Sequence, residues 1–162
     1  MGWLLVPELP PGGARGRIHG GTAARPETGA GAGWPGTRRA RIRRRSCVGW
    51  CQFGPTEELP RIKYQKAYRQ GLHELPDWRI TCFFVGRTHR HLGVAGIALA
   101  GGLAEIARLG GGSVESYPED TSDRKVSGSF LHNGTVAMFE RHGFTRSHQI
   151  GKRRWVVSRL IP

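Results

Sequence analysis

The chain has 162 residues, a length that fits one domain. Its 25 Lys and Arg residues outnumber its 12 Asp and Glu residues, and the resulting net charge of +13 favours anionic partners. No apolar run approaches the roughly 18 residues that a transmembrane helix needs, and the apolar stretch at residues 1 to 6 is too short for a signal peptide. We therefore expect a soluble, cytoplasmic protein that has no membrane partner.

Residues 1 to 46 differ in composition from the rest of the chain. They consist mainly of Gly, Arg, Ala and Pro, contain no Lys, and show neither helical nor strand periodicity. Because such a segment buries too little apolar surface to offset its chain entropy, the sequence predicts disorder. The basic tract at residues 38 to 45 is a candidate for nucleic-acid binding through phosphate contacts. An origin as non-native sequence, placed there by a start site or reading frame, is favoured over that role.

A globular pattern begins at residue 47. Residues 48 to 55 predict a strand that ends in a Gly-Pro turn, and residues 63 to 72 predict a helix. Tyr64 and Tyr68 share one face of this helix, where packing onto a sheet is favoured over lining a ligand pocket. The three cysteines form no CxxC pair and no zinc set with histidines, so we expect reduced thiols and no metal site.

A strand, a basic turn and a helix follow one another in the middle of the chain. Ile80 to Val85 is an apolar run rich in β-branched and aromatic residues, residues 87 to 91 are basic, and the Ala- and Leu-rich run from Leu92 to Leu109 predicts a helix. The first N–H groups of a helix lack intrahelical partners and carry partial positive charge. Gly93 and Gly96 remove the Cβ atoms that would keep a phosphate away from the backbone. The turn therefore predicts an anion site.

Three kinds of phosphate-binding motif compete for this turn. A P-loop needs Gly-x-x-x-x-Gly-Lys-Ser/Thr, which is absent. A dinucleotide fingerprint needs its first glycine directly after the strand, and the spacing of Gly86, Gly93 and Gly96 fits it poorly. Residues 90 to 95, Arg-His-Leu-Gly-Val-Ala, resemble the Arg/Gln-x-x-Gly-x-Gly/Ala signature of the GNAT acetyltransferases, in which the loop cradles the pyrophosphate of acetyl-CoA.

The later elements extend this resemblance. Residues 113 to 117 predict a short strand, and residues 145 to 150 and 154 to 161 predict a closing hairpin. Between them, Asn133 to Phe144 resembles the second conserved helix of the GNAT family, which ends in a basic turn and Gly-Phe. Gly143 is a natural residue to end that helix. The resemblance covers residues 47 to 162 and not what precedes them.

The resemblance implies a GNAT-like α/β fold, a mixed central sheet flanked by helices, whose N-terminal elements are missing or replaced by a disordered arm. It implies that residues 47 to 162 are an incomplete acetyl-CoA-binding domain of an N-acetyltransferase, which transfers acetyl from acetyl-CoA to an unknown amine. The alternative is a non-catalytic, Arg-rich nucleic-acid-binding protein on a remnant of this fold. The implied cofactor-binding residues are Phe83, Phe84, Val85, Arg90, His91, Leu92, Gly93, Val94, Ala95, Gly96 and Asn133.

Two catalytic residues follow from the same resemblance. Glu115 is the candidate base that takes a proton from the amine, because it lies on the strand that should part from Ile80–Val85. The family often has a tyrosine, as proton donor to the CoA thiolate, where this chain has Phe139, which has no proton to give. Tyr117 is the candidate substitute, since the alternation of a strand places it on the same face as Glu115.

Overall fold

The computed structural model of the chain describes residues 2–7, 47–123, 126–127 and 131–162. Within these ranges six strands form one mixed sheet in the order β1-β2-β3-β4-β6-β5. The strands are β1 (Gly2–Pro7), β2 (Cys47–Pro55), β3 (Trp78–Val85), β4 (Gly112–Ser116), β5 (Thr145–Gln149) and β6 (Trp155–Ile161). The helices are α1 (Gln65–Gln70), α2 (Val94–Arg108) and α3 (Val136–Glu140). The predicted mixed sheet with flanking helices is confirmed.

Helices pack on both faces of the sheet, because the strands carry apolar residues on both sides. α2 and α3 cover one face, here called the α2 face, over a core that includes Ile80, Val114 and Phe139. α1 covers the opposite face, here called the α1 face, over a smaller core that includes Tyr68 and Tyr117. The packing of Tyr68 onto the sheet agrees with the interpretation favoured from the sequence.

The sheet opens between β3 and β4. These two strands are parallel and pair over only three positions, the last of which joins Ile80 and Ser116. At that position the Ser116 hydroxyl donates a hydrogen bond to the Ile80 carbonyl oxygen (2.8 Å). β3 continues beyond this point to Val85 without β4 beside it. The parting of the two strands that the sequence predicted is therefore present.

The prediction of disorder for residues 1 to 46 is wrong for Gly2–Pro7. This segment forms β1, which pairs antiparallel with β2 and buries Leu4 and Val6 in the core under α2. The apolar run is too short to show a period, yet an open strand edge recruits it, because backbone groups there need partners. Among the residues that the structure describes, one strand of the sheet therefore precedes residue 47. Residues 8–46, with the basic tract 38 to 45, lie outside the described residues, and their predicted disorder stays a prediction.

α2 begins at Val94, two residues later than predicted. His91 and Gly93 both have positive φ, 64° and 78°, and residues in this left-handed conformation do not extend an α-helix. Leu92, the first residue of the predicted helix, therefore lies outside α2 and is 66% exposed. Within the described residues, no helix is long and apolar enough to cross a membrane. The face of α2 that packs on the sheet includes Leu99, Leu103 and Ile106, which are buried.

Gly49 in β2 sets how closely the start of α2 approaches the sheet. A Cβ atom at this position would lie 2.7 Å from Val94 Cγ1 and 2.8 Å from the Phe84 carbonyl oxygen. We expect Gly49→Ala to lower the free energy of unfolding by about 1–3 kcal/mol, because the helix must move away from β2 to make room. Chemical denaturation measures this change.

Gly102→Ala is the matched control. Gly102 lies inside α2, and a Cβ atom there would make ordinary contacts, 3.5 Å from Cys51 Sγ and 3.7 Å from Phe53 Cδ1. Because Ala is better than Gly in a helix by about 1 kcal/mol, this variant should be at least as stable as the wild-type protein. If the free energy of unfolding fell equally in Gly49→Ala and Gly102→Ala, the close approach of α2 at Gly49 would be contradicted.

Candidate active site

A basic turn closes β3 and leads into α2. The Gly86 N–H donates to the Val48 carbonyl oxygen (2.8 Å), which ties the end of β3 to β2. A single 3₁₀ turn, Arg87–His89, follows. The side chains of Arg87 and Arg90 are exposed, and Arg90 Nε donates to the Val85 carbonyl oxygen at 3.4 Å. Two guanidinium groups therefore lie at the end of β3, where this strand has left β4.

The first turn of α2 has backbone N–H groups that no carbonyl of the helix accepts. The first intrahelical bond runs from the Ile97 N–H to the Gly93 carbonyl oxygen (3.1 Å), so the N–H groups of Val94, Ala95 and Gly96 have no intrahelical partner. No side chain of the described residues caps the helix at Gly93. A Cβ atom built on Gly93 would meet nothing within 4 Å. The turn is therefore accessible to an anion from outside.

The end of α3 flanks the same opening. A Cβ atom at Gly96 would lie 3.5 Å from His142 Cε1, and His142 Nδ1 lies 2.9 Å from the Met138 carbonyl oxygen. The predicted second helix is present: Thr135 Oγ1 accepts a hydrogen bond from the Met138 N–H (3.2 Å) at its start. Gly143 has a φ of 78° just after it, as expected for a residue that ends a helix.

The segment before α3 enters the gap beside β3. The Phe83 N–H donates to the His132 carbonyl oxygen (2.6 Å), and Glu119 forms a parallel bridge with Thr135. Asn133, predicted to bind the cofactor, is buried in this segment. The structure thus brings Asn133 next to the end of β3, although in this conformation the Phe83 N–H is already bound by the chain itself.

The aromatic residues at the end of β3 divide between the two faces. Phe83 is buried on the α2 face, with its ring 6.0 Å from that of Phe139 in a T-shaped arrangement. Phe84 is 49% exposed and stacks on Trp50 across the strand pair, with ring centroids 5.9 Å apart. Phe139 is fully buried and also contacts the Phe144 ring (5.0 Å). Phe139 therefore belongs to the core.

Glu115 lies among hydroxyl groups on the α1 face. It pairs in register with Arg79 of β3, one position before the strands part. The hydroxyl groups of Tyr68 and Tyr117 both donate to Glu115 Oε2, at 2.9 Å and 3.2 Å. The prediction that Glu115 and Tyr117 share a face is therefore confirmed by their contact. Here a carboxylate and two hydroxyl groups meet beside the opening of the sheet.

Burial dominates the electrostatics of this cluster. It raises the pKa of the Glu115 carboxyl above its ordinary value and outweighs the two tyrosine hydrogen bonds and the positive charges of Arg79 and His148, which lower that pKa. Burial also raises the pKa of the hydroxyl groups of Tyr117 and Tyr68. The tyrosines therefore keep their protons and act as donors, while Glu115 is a stronger base than an exposed carboxylate.

Arg79 is a residue of this cluster that the sequence patterns did not indicate. This residue is 2% exposed; its Nη1 donates to the Leu59 carbonyl oxygen (2.8 Å), and its Nη2 to the Tyr68 hydroxyl (3.3 Å). A charged residue at the start of an apolar strand was the available signal. Its meaning depended on the register between β3 and β4, which the sequence does not specify.

An open cavity of about 380 Å³ lies near Arg79, although Glu115 and the two tyrosines do not line it. Thr81, one of its lining residues, comes directly after Ile80, the last residue of β3 that pairs with β4. The Thr81 hydroxyl donates to Gln52 Oε1 (3.2 Å). Leu59 also lines the cavity, and its carbonyl oxygen binds Arg79. The full lining consists of Gln52, Glu58, Leu59, Pro60, Arg61 and Thr81.

The predicted cofactor and catalytic residues lie at opposite ends of β3. Arg79, the partner of Glu115, is six residues before Val85, the last residue ahead of the basic turn. At about 3.3 Å per residue, these positions are about 20 Å apart. A ligand that reached both would need an anionic end and a long, narrow arm.

Comparison with known proteins finds similarity among solved structures. No family model matches the chain, and no curated protein matches it. Ard1 from Thermoplasma volcanium is similar with 13% identity and a TM-score of 0.45, covering 74% of this chain and 66% of that one. A structure described as histone acetyltransferase HPA2 and related acetyltransferase, from Corynebacterium glutamicum, is similar with 18% identity and a TM-score of 0.41. That match covers 73% of this chain and 60% of the other.

The chain thus spans no more than about two thirds of the length of these structures. The order and direction of its strands and helices define its fold. A mixed sheet opens between its two parallel strands, and a glycine turn and a long helix follow the first of them. A short helix, α3, follows the second, and a turn with Gly143 at positive φ comes after it. The fold of this chain is therefore GNAT-like.

Proposed function

We propose that this chain is an N-acetyltransferase that moves the acetyl group of acetyl-CoA to an amine. One observation carries the proposal: helix amides without intrahelical partners follow the end of β3, beside the open position at Gly93, after β3 has parted from β4. Such a site suits a substrate that has a diphosphate and, at the end of a long arm, a reactive group. Acetyl-CoA has both features.

The diphosphate is proposed to bind the N–H groups of Val94, Ala95 and Gly96. Gly93 leaves the approach open, and the exposed Arg90 adds positive charge. The arm of acetyl-CoA would then follow the edge of β3, residues 83 to 85, past Asn133. Because the Phe83 N–H donates to His132, the arm must use other groups on this edge or displace the 131–133 segment.

Glu115 is the proposed base. An amine must lose a proton before its nitrogen attacks the thioester carbonyl carbon, and a carboxylate with a raised pKa accepts that proton better than an ordinary one. The tetrahedral intermediate then breaks its C–S bond. The departing sulfur leaves as a thiolate, since a thiol with a pKa of about 8.5 is a fair leaving group. Tyr117 is the candidate proton donor to this sulfur, but burial raises its pKa, so it holds its proton more tightly than the thiol does. The cavity lined by Leu59 and Thr81 is the proposed entry for the amine, which would have to pass beyond its lining to reach Glu115.

Thermal unfolding with acetyl-CoA tests the binding half of the proposal. Acetyl-CoA at about 100 times its Kd should stabilise the wild-type protein by about 2.7 kcal/mol, which raises the Tm by several degrees. Arg90→Glu and Gly93→Glu place negative charge beside the bound diphosphate, and both should lose this shift. Circular dichroism confirms that each variant is folded.

Arg108→Glu is the matched control. It makes the same charge change at the opposite end of α2, where Arg108 pairs with Glu105, and it should keep the shift. A wild-type protein with no response to acetyl-CoA would overturn the proposal. If that protein also bound DNA with a steep salt dependence, the nucleic-acid-binding alternative would replace it.

A further inference from the structure

A chain of hydrogen bonds connects a buried guanidinium to the Glu115 carboxylate through one hydroxyl group. Arg79 Nη2 donates to the Tyr68 hydroxyl (3.3 Å), and this hydroxyl donates to Glu115 Oε2 (2.9 Å). Arg79 is also 5.5 Å from the centre of the Tyr68 ring. No ion pair within the described part of the chain joins Arg79 directly to Glu115. Tyr68 therefore separates a buried cation, Arg79, from a half-buried anion, Glu115.

This arrangement decides the direction of the Tyr68 hydrogen bond. A guanidinium can only donate, so the Tyr68 hydroxyl must accept from Arg79 and give its own proton to Glu115. A donor that is itself polarised by a cation forms a stronger bond to a carboxylate. The proton of Tyr68 is thereby directed to one particular oxygen of Glu115.

The two tyrosines bind the same carboxylate oxygen. Tyr68 and Tyr117 both donate to Oε2, and neither hydroxyl donates to Oε1. An oxygen that already accepts two hydrogen bonds is a poorer proton acceptor than its neighbour. Oε1 is therefore the atom of Glu115 on which a proton from a substrate would be held.

We infer that Tyr68, anchored by Arg79, is a positioning residue that fixes the Glu115 carboxylate with Oε1 as its proton-accepting atom. The catalytic meaning of this role rests on the proposed function, but the positioning itself does not. The charged and titratable groups that face Glu115 are Arg79 from β3, Tyr68 from α1, Tyr117 from the end of β4, and His148 from β5. Of these, only Tyr68 links Glu115 to the buried arginine.

Tyr68→Phe tests the inference, because it keeps the buried ring and removes the hydroxyl. The carboxyl carbon of Glu115, assigned with Glu115→Gln, is titrated by NMR in both proteins. The midpoint of the Glu115 titration should be about one pH unit higher in Tyr68→Phe than in the wild-type protein, because the variant lacks a hydrogen-bond donor to the ionised carboxylate. Tyr64→Phe is the matched control: Tyr64 lies four residues earlier and is 48% exposed, so the midpoint should not move.

Activity gives a second readout. Below the midpoint, the ionised fraction of Glu115 in Tyr68→Phe falls about tenfold for a one-unit rise, so kcat should fall by the same factor while the KM for acetyl-CoA stays unchanged. Arg79→Lys keeps the charge but loses the two-pronged contact with Leu59 and Tyr68. Its midpoint should rise by less than that of Tyr68→Phe.

The outcomes separate this inference from the proposed function. A midpoint that is unchanged in a folded Tyr68→Phe variant would overturn the positioning role, whatever acetyl-CoA does. If Tyr68→Phe does not fold, an unchanged midpoint in Arg79→Lys overturns it in the same way. A raised midpoint together with no thermal response to acetyl-CoA would support the positioning of Glu115 and reject acetyl transfer.

Discussion

The Glu115→Gln variant is expected to transfer acetyl groups about 10²- to 10⁴-fold more slowly than the wild-type protein at neutral pH. Gln has the shape of Glu and an oxygen that accepts hydrogen bonds, but it takes no proton from an amine. The hydroxyl groups of Tyr68 and Tyr117, now bound to Glu115 Oε2, keep an acceptor, so the fold should be retained. The rate is measured as CoA thiol released from acetyl-CoA in the presence of a panel of primary amines.

The pH dependence of the rate distinguishes a lost base from a damaged site. Burial raises the pKa of Glu115, and only its ionised form accepts a proton, so the wild-type rate should rise as the pH passes through that raised value. Without this base, the rate of Glu115→Gln should keep rising toward the pKa of the free amine, about 10.4 for a lysine. Both proteins should show the same thermal shift with acetyl-CoA.

A second carboxylate provides the control for this substitution. Glu105 lies on the exposed side of α2, where it pairs with Arg108 at 2.6 Å, and Glu105→Gln should keep the wild-type rate. A wild-type rate for Glu115→Gln at neutral pH would show that another group, or the solvent, removes the proton. The proposed base would then be wrong even if acetyl-CoA binds.

Arg154→Met is expected to lower the free energy of unfolding by about 3–5 kcal/mol. Arg154 is 3% exposed; its Nη1 donates to the Tyr117 carbonyl oxygen (2.9 Å), and its Nη2 lies 3.3 Å from Glu119 Oε2. Met fills much of the same volume but leaves the Glu119 carboxylate largely buried without its counter-charge. Because these contacts hold the chain after β4, the loss should also loosen the segment that carries Tyr117. Denaturant unfolding measures the change.

Two further variants show whether the buried ion pair causes this loss. Glu119→Gln combined with Arg154→Met removes both charges and should be more stable than Arg154→Met alone. Arg153→Met changes the neighbouring arginine, which pairs with the well exposed Asp123 at 2.9 Å, and should cost less than about 1 kcal/mol. If Arg153→Met and Arg154→Met lowered the free energy of unfolding by similar amounts, the importance of the Arg154–Glu119 ion pair would be contradicted.

Short-range patterns were enough to predict the strand, turn and helix around Gly93. β3 and α2 begin within two residues of the predicted positions, Ile80 and Leu92, because apolar runs, glycines and helix formers act on their immediate neighbours. The alternation of a strand likewise predicted that Glu115 and Tyr117 share a face, and their hydrogen bond confirms it. These features depend on residues that are close in the chain.

The sequence by itself thus determined the local elements, the helix start after Gly93 with its unpartnered amides, and the placement of Glu115 and Tyr117 on one face. Only the tertiary structure decided that β1 joins the sheet, that the chain before α3 binds the Phe83 N–H, and that Arg79 and Tyr68 meet at Glu115. The physical reason is that these contacts join segments far apart in the chain. Which strand edges pair, and in which register, is settled by competition among arrangements of the whole sheet, and no short pattern encodes the result.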